Sequence, residues 1–224
     1  KKIIGNPSLK NNELVEIIKN TKINNYYIKN NKDFRDHIVK NISNEDHVLD
    51  IGKTMREKFN NINCKTIETL DANDYGDYPD IIFDLCSENI DFLENKYDKI
   101  ICIAILEHVY NPFVAIKNLR KMLKNKGIIY GYVPFLYHYH APEDLYFQDY
   151  YRFSKDGLAY LFREFHNLKL YPVRGRLSSS MHILFGSIWK RTFEKYNLNP
   201  ILDGFFSKDK NFKQTGGFNF IAVK

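Results

Sequence analysis

From residue 47 onward, short apolar runs alternate with amphipathic stretches. His47-Val48-Leu49-Asp50-Ile51-Gly52 reads as a buried strand closed by a glycine turn. Residues 65–71 and 79–84 read as strands that each end on an acid. Residues 98–104 form the most apolar strand, and 127–133 and 168–173 two more. Residues 217–223 alternate apolar with polar, as expected of an antiparallel strand near a sheet edge. Between these runs the spacing predicts helices. Residues 54–62 suit a short one. Residues 112–124 suit a longer one, with Pro112 in its first turn and Val114, Leu119 and Leu123 on one face. Residues 154–165 read as a helix with Ser154 as N-cap, and a further helix is expected near 180–195, followed by a loop.

Strands alternating with helices argue for an α/β fold. The expected fold is doubly wound, with a mostly parallel seven-stranded sheet, an antiparallel last strand and helices on both faces. Upstream, 13–19 and 33–42 have short helical patterns. The expected division is therefore an N-terminal helical cap over 1–46 and a main domain over 47–224.

Composition narrows the partners. The chain has 224 residues, of which 44% are hydrophobic and 15% aromatic, which is ample for one large core and excludes general disorder. Its 33 basic and 27 acidic residues leave +6, scattered without a basic stripe, so no nucleic-acid partner is expected. No apolar run approaches the roughly 18 residues of a membrane span. Lys1-Lys2-Ile3-Ile4-Gly5-Asn6-Pro7 lacks the apolar core of a secretion signal, and a cytoplasmic location is expected. Cys64, Cys86 and Cys102 form no CxxC pair, which excludes a zinc knuckle or a thioredoxin-type site.

In an open parallel sheet, ligands bind beyond the carboxyl ends of the strands. Asp50, Asp71 and Asp84 all lie at such ends, and Glu107-His108 follows the fourth. Asp71 stands 19 positions after Gly52, the offset at which an acid accepts both hydroxyls of a ribose. The loop Gly52-Lys53-Thr54-Met55-Arg56-Glu57 has one glycine, which disfavours a pyrophosphate and hence a nicotinamide dinucleotide.

Val48-Leu49-Asp50-Ile51-Gly52 resembles motif I of class I S-adenosylmethionine-dependent methyltransferases. Ile105-Leu106-Glu107-His108-Val109 with Asn111-Pro112 resembles the family's LEHV-x-x-P segment. Leu123-Lys124-Asn125-Lys126-Gly127 resembles its LKPGG step, with Asn-Lys for Pro-Gly. The resemblance covers about 45–165 and implies S-adenosylmethionine as cofactor. It assigns Asp50, Gly52, Thr54, Asp71, Ala72, Asp84, Leu85, Leu106, Glu107 and His108 to cofactor binding. Asp71 would take the ribose diol, Asp84 and Leu85 the adenine, Thr54 the methionine carboxylate, and Leu106 to His108 the floor. Lys53 and Met55 stand where the family commonly has small residues.

The loop over 134–153 carries the acceptor chemistry. His138-Tyr139-His140-Ala141-Pro142-Glu143-Asp144, followed by Asp149-Tyr150-Tyr151-Arg152, resembles a subgroup found with surface-glycan and sugar-modifying enzymes. The expected reaction is methyl transfer to an oxygen of a small-molecule acceptor, a sugar or a surface-glycan precursor. His140 is the expected general base with His138 in reserve, because imidazole titrates near neutral pH. Asp149 is expected to orient the imidazole, and Tyr137, Tyr150 and Arg152 to contact the acceptor. No metal is expected; His138, His140, Glu143 and Asp144 read as lid and acceptor contacts. Two alternatives stay open: an RNA or protein methyltransferase, or an inactive cofactor-binding partner subunit.

Overall fold

The computed structural model describes residues 11–24, 31–52, 59, 62–144, 146–189, 196, 198–206 and 214–224. Its frame is one seven-stranded sheet: β1 (His47–Ile51), β2 (Thr66–Asp71), β3 (Ile81–Ile82), β4 (Tyr97–Ile103), β5 (Leu123–Pro134), β6 (Asn167–Val173) and β7 (Gly217–Val223). The spatial order is β3-β2-β1-β4-β5-β7-β6, and only β7 runs antiparallel to its neighbours. The chain travels outward through β2 and β3, then returns to lay β4 on the other side of β1. The carboxyl ends of β1 and β4 therefore flank the switch point, where a crevice must open.

Helices cover both faces. Phe34, Ile38 and Ile42, on or just after α2 (Asn31–Lys40), pack against Val48, Ile101, Tyr130 and Ile221. On the other face, Ala115, Ile116, Leu119 and Met122 of α3 (Pro112–Met122), with Leu158 and Leu161 of α4 (Lys155–Leu161), pack on Leu49, Ile100, Ile129 and Phe220. The strand period of two sends neighbours such as Val48 and Leu49 into opposite layers. The segment after α1 (Asn11–Asn20) reaches the β6 edge, where Ile23 bridges Leu170 and the Lys155 ammonium donates to the Ile18 carbonyl at 2.7 Å.

Caps behave as the sequence suggests. Asn111 accepts from the Val114 N–H with Pro112 in the first turn of α3, and Ser154 accepts from the Gly157 N–H at α4. Several boundaries differ. The helix expected to reach 124 ends at Met122, because Leu123 is already extended and pairs with Tyr97. The strand expected over 79–84 is paired at Ile81 and Ile82; it starts late because the Asp80 carboxylate takes the Thr69 N–H and hydroxyl at 2.8 and 2.6 Å in place of a ladder. The helix expected near 180–195 is α5 (Arg176–Trp189), which starts earlier. Asp203 accepts from the Gly175 and Ser178 N–H groups and the Ser178 hydroxyl at its start. Asp203 belongs to α6 (Asn199–Phe206), a helix in a stretch expected to be loop. The helix expected over 54–62 falls almost entirely outside the described residues.

Gly131 is opposite Phe220 across the β5–β7 pair. A Cβ there would lie 2.2 Å from the Phe220 ring and 2.5 Å from the Cys102 carbonyl oxygen. That ring is also packed against Phe162, with centroids 4.8 Å apart, so it has nowhere to retreat. Gly131→Ala should therefore cost about 1–3 kcal/mol, the usual penalty of overpacking a core. A urea midpoint unchanged from wild type would show that the β5–β7 pair can absorb the methyl group.

Candidate active site at the carboxyl ends of the strands

The glycine turn after β1 is held by its N–H, which donates to the Leu70 carbonyl at 3.0 Å. Gly52 has φ +97°, and a Cβ would come 2.5 Å from Ile105 Cδ1, so only glycine fits against the loop after β4. Asp50, inside β1, is 1% exposed. Neither carboxylate oxygen of Asp50 has a hydrogen-bond partner among the described residues, and burial raises its pKa to about 8. Thr54 lies outside the described residues.

Asp71 ends β2, half-buried, and accepts from the Asn73 N–H at 3.0 Å; Ala72 beside it is exposed. Asp84 is exposed and accepts from the Cys86 N–H at 2.8 Å and, more loosely, from the Tyr110 hydroxyl at 3.4 Å. Leu85 and Leu106 are buried. Asp50, Gly52, Asp71, Asp84 and Leu106 thus lie at or just past the carboxyl ends of β1 to β4, the edge of the sheet that carries the switch point.

Past β4, Ala104 takes the left-handed conformation at φ +56° while its N–H donates to the Tyr132 carbonyl at 3.0 Å. A side chain held there marks a turn that the surroundings impose. It turns Glu107 and His108 back under the loop that follows β5. The Glu107 carbonyl accepts from the Tyr150 and Tyr151 N–H groups at 2.8 and 3.2 Å, which fastens that loop over the site.

Within the lid, Arg152 grips both oxygens of Asp149 and donates to the carbonyls of Tyr137, His138 and Tyr151. Asp149 has no exposed side-chain surface. Its second oxygen also accepts from the His140 N–H at 2.9 Å and stands 3.1 Å from His140 Nδ1. Burial would raise the Asp149 pKa, but the hydrogen bonds from Arg152 and His140 outweigh it and hold the carboxyl at about 2. His140 Nε2 lies 3.2 Å from His108 Nε2, and His108 Nδ1 lies 2.5 Å from the Gln148 carbonyl. His108 Nε2 is also 3.8 Å from Glu107 Oε1. Glu107 is 1% exposed, and burial pushes its carboxyl to about 8; burial lowers the pKa of His108.

Asp149, His140, His108 and Glu107 therefore form one continuous chain of groups. His138 stands apart from it, exposed and stacked on Tyr137 at 4.3 Å and on His182 at 5.6 Å. Tyr150 is exposed, with its hydroxyl 3.3 Å from Gln148 Oε1. Sequence reasoning missed His182, a buried imidazole of α5 stacked on Tyr137 at 5.3 Å, and Arg174, whose guanidinium lies 5.9 Å from the Tyr137 ring centre. A lone histidine in an apolar helix gives no signal of its own. The meeting of His108 with His140 spans 32 positions and was equally invisible.

Residues 44–131 match the family model described as a methyltransferase domain. No curated protein sequence matches the chain. Among solved structures, a SAM-dependent methyltransferase from Archaeoglobus fulgidus is 13% identical with a TM-score of 0.53, over 85% of this chain and 91% of that one. The [4+2]-cyclase SpnF is 12% identical with a TM-score of 0.52, over 95% and 93%. Phosphoethanolamine N-methyltransferase 2 of Haemonchus contortus, solved with phosphomonomethylethanolamine and S-adenosylhomocysteine, is 14% identical with a TM-score of 0.51, over 85% and 52%. These likenesses share the fold. The matched domain is one of methyl transfer, and S-adenosylmethionine is its cofactor. No helix among the described residues is long and apolar enough to cross a membrane.

The state of Asp50 has a consequence for stability. With its folded pKa raised from 3.8 to about 8, the native protein keeps a proton that the unfolded chain releases. Its stability therefore falls as pH rises through that window. Asp50→Asn, neutral throughout, should gain on wild type steadily between about pH 4 and pH 8. Parallel denaturation curves for the two proteins across that range would mean that Asp50 ionises normally in the fold.

Proposed function

We propose that the protein transfers a methyl group from S-adenosylmethionine to an oxygen of a small-molecule acceptor, a cytoplasmic sugar or surface-glycan precursor. The single observation that carries this reading is the chain Asp149–His140–His108–Glu107, laid by the lid over the end of β4 at the switch point. An attacking hydroxyl must shed a proton, and nitrogen lone pairs at that place can receive it.

The donor set fits the cofactor. Carboxylates after β2 and β3 suit the hydroxyls and amino group of a nucleoside, the buried Leu85 and Leu106 suit its apolar faces, and the Gly52 turn leaves room where a side chain would not. Asp71 is assigned to the ribose diol, Ala72, Asp84 and Leu85 to the adenine, and Asp50, Gly52 and Thr54 to the methionine end. Leu106, Glu107 and His108 form the floor. When bound, the cofactor supplies a methyl on a sulfonium, which needs alignment more than activation. His140 receives the acceptor's proton, Asp149 fixes its ring, and Arg152 fixes Asp149. Tyr137 and Tyr150 contact the acceptor, and His138 borders it. The stack of Tyr137, His138 and His182 offers flat, amphipathic faces of the kind that take a sugar ring. Residues 1–46 are assigned the role of a helical cap on the domain over 47–224.

Two measurements test this. Asp71→Ala should weaken S-adenosylmethionine binding roughly tenfold to a hundredfold, since hydrogen bonds to a charged acceptor contribute about 1.5–3 kcal/mol each. Unchanged affinity by calorimetry would remove Asp71 from the site. His140→Ala should lower turnover by at least about a hundredfold, the lower range for positioned proton transfer, and leave cofactor affinity near wild type. The assay follows labelled methyl into a panel of sugar precursors, RNA and protein. Label in RNA or protein alone would replace the small-acceptor reading.

A further inference from the structure

We propose that Glu107, His108 and His140 form a binding site for one divalent first-row transition cation, with zinc the representative ion. One ligand atom from each of the three lies within 4.8 Å of the others, although they come from two loops. A cation with bonds of about 2.1 Å at tetrahedral angles holds its ligands about 3.4 Å apart. The His108–His140 Nε2 separation is 3.2 Å and the His108–Glu107 separation 3.8 Å, both near that value.

The surroundings of the two imidazoles carry the inference further. His108 Nδ1 faces the Gln148 carbonyl, and His140 Nδ1 faces the Asp149 carboxylate and the His138 carbonyl. All three of these partners accept, so a neutral ring at either position donates from Nδ1 and leaves Nε2 as the atom that can bind a cation. The two Nε2 atoms stand 3.2 Å apart, and one cation can hold both. A metal-bound histidine is typically anchored by its other nitrogen on a carbonyl or carboxylate, as both rings are here. The third ligand has an independent mark. Glu107 is 1% exposed, and its Oε2 has no partner among the described residues. A buried carboxylate without a donor is costly, and a cation beside it removes the cost.

Two imidazoles and a carboxylate suit zinc, manganese or cobalt, whereas magnesium prefers oxygen alone. Three protein ligands leave a coordination position open toward the acceptor side. This rests on the reading given above for its acceptor and its methyl donor, and it replaces His140 there as the group that receives the proton. The acceptor hydroxyl binds the cation through its oxygen, its pKa falls, and its proton leaves to water. The oxygen then attacks the methyl carbon, and the electrons of the breaking carbon–sulfur bond stay on sulfur. His140 in this form is a ligand, and the cation does the work that its lone pair would otherwise do.

The test uses tag-free full-length protein stripped with a chelator and titrated calorimetrically with zinc, then with magnesium. Saturable uptake of one zinc per chain is expected, with magnesium far weaker. His108→Ala and Glu107→Gln should weaken zinc by roughly a hundredfold or more, beyond the roughly 10- to 100-fold of outer-shell changes, and Glu143→Gln should not. Cobalt should give a visible absorption band that disappears in His108→Ala, and added zinc should raise the melting temperature of wild type but not of Glu107→Gln, which keeps the buried shape. No saturable zinc uptake by wild type, or uptake indifferent to both substitutions, overturns the site. Zinc uptake without methyl transfer to any hydroxyl acceptor leaves the site standing and removes the O-methylation reading. Methyl transfer that survives stripping, with no zinc uptake, does the reverse.

Discussion

The pair between Arg152 and Asp149 is the contact on which the lid depends. Asp149 is wholly enclosed, and an enclosed carboxylate persists only if its lone pairs are met. The planar guanidinium meets both oxygens at once, a fit that the point charge of a lysine does not reproduce. The remaining N–H groups of Arg152 reach three carbonyls of the same loop, so one side chain sets the path of the segment from Tyr137 to Tyr151. His140 inherits its place from this pair, through its backbone N–H and its ring.

The second constraint comes from the sheet. The lid would be a free loop if Glu107 did not offer its carbonyl to Tyr150 and Tyr151. Glu107 can do so because Ala104, in a conformation unfavourable for a residue with a Cβ, turns the chain directly after β4. The parallel β1–β4 pair fixes where that turn occurs. Sheet register, local strain and lid geometry therefore determine together where the two imidazoles meet. Displacing any one of them would separate nitrogens now 3.2 Å apart.

The fold was legible in the sequence because its signals are local and repeated. Strand-length apolar runs, Pro112 and Ser154 at helix starts, and the alternation over 217–223 each act within a few residues, and β7 falls at the expected bounds. What escaped was set by distant partners. Asp80 delays pairing at β3 until Ile81 by bonding Thr69, eleven positions back, and Asp203 starts α5 from a helix 25 positions beyond Ser178. The candidate site divides in the same way. Strand-terminal residues such as Asp71 and Asp84 could be picked from their position alone. Arg152 read as an acceptor contact, yet its donors are spent on the loop. The sequence ranks His140 ahead of His138 on local grounds alone, whereas the contacts that set it apart, the Asp149 carboxylate and the His108 ring, come from distant positions.

Asp50 and Glu107 complete the argument. Both are buried acids, both keep oxygens without partners among the described residues, and both are pushed to about 8. A core optimised for stability alone would carry asparagine, glutamine or a hydrocarbon at these positions, because an unmatched carboxylate opposes folding. Their places are not random. Asp50 lies at the end of β1 and Glu107 just past β4, the two strands that flank the switch point, and the Cys102 thiol on β4 is pushed up first by burial and then by both acids. Two unfavourable acids thus sit where the topology opens a crevice. Buried acids with raised pKa values in a crevice are what a binding site tends to carry, whereas a core tends to exclude them.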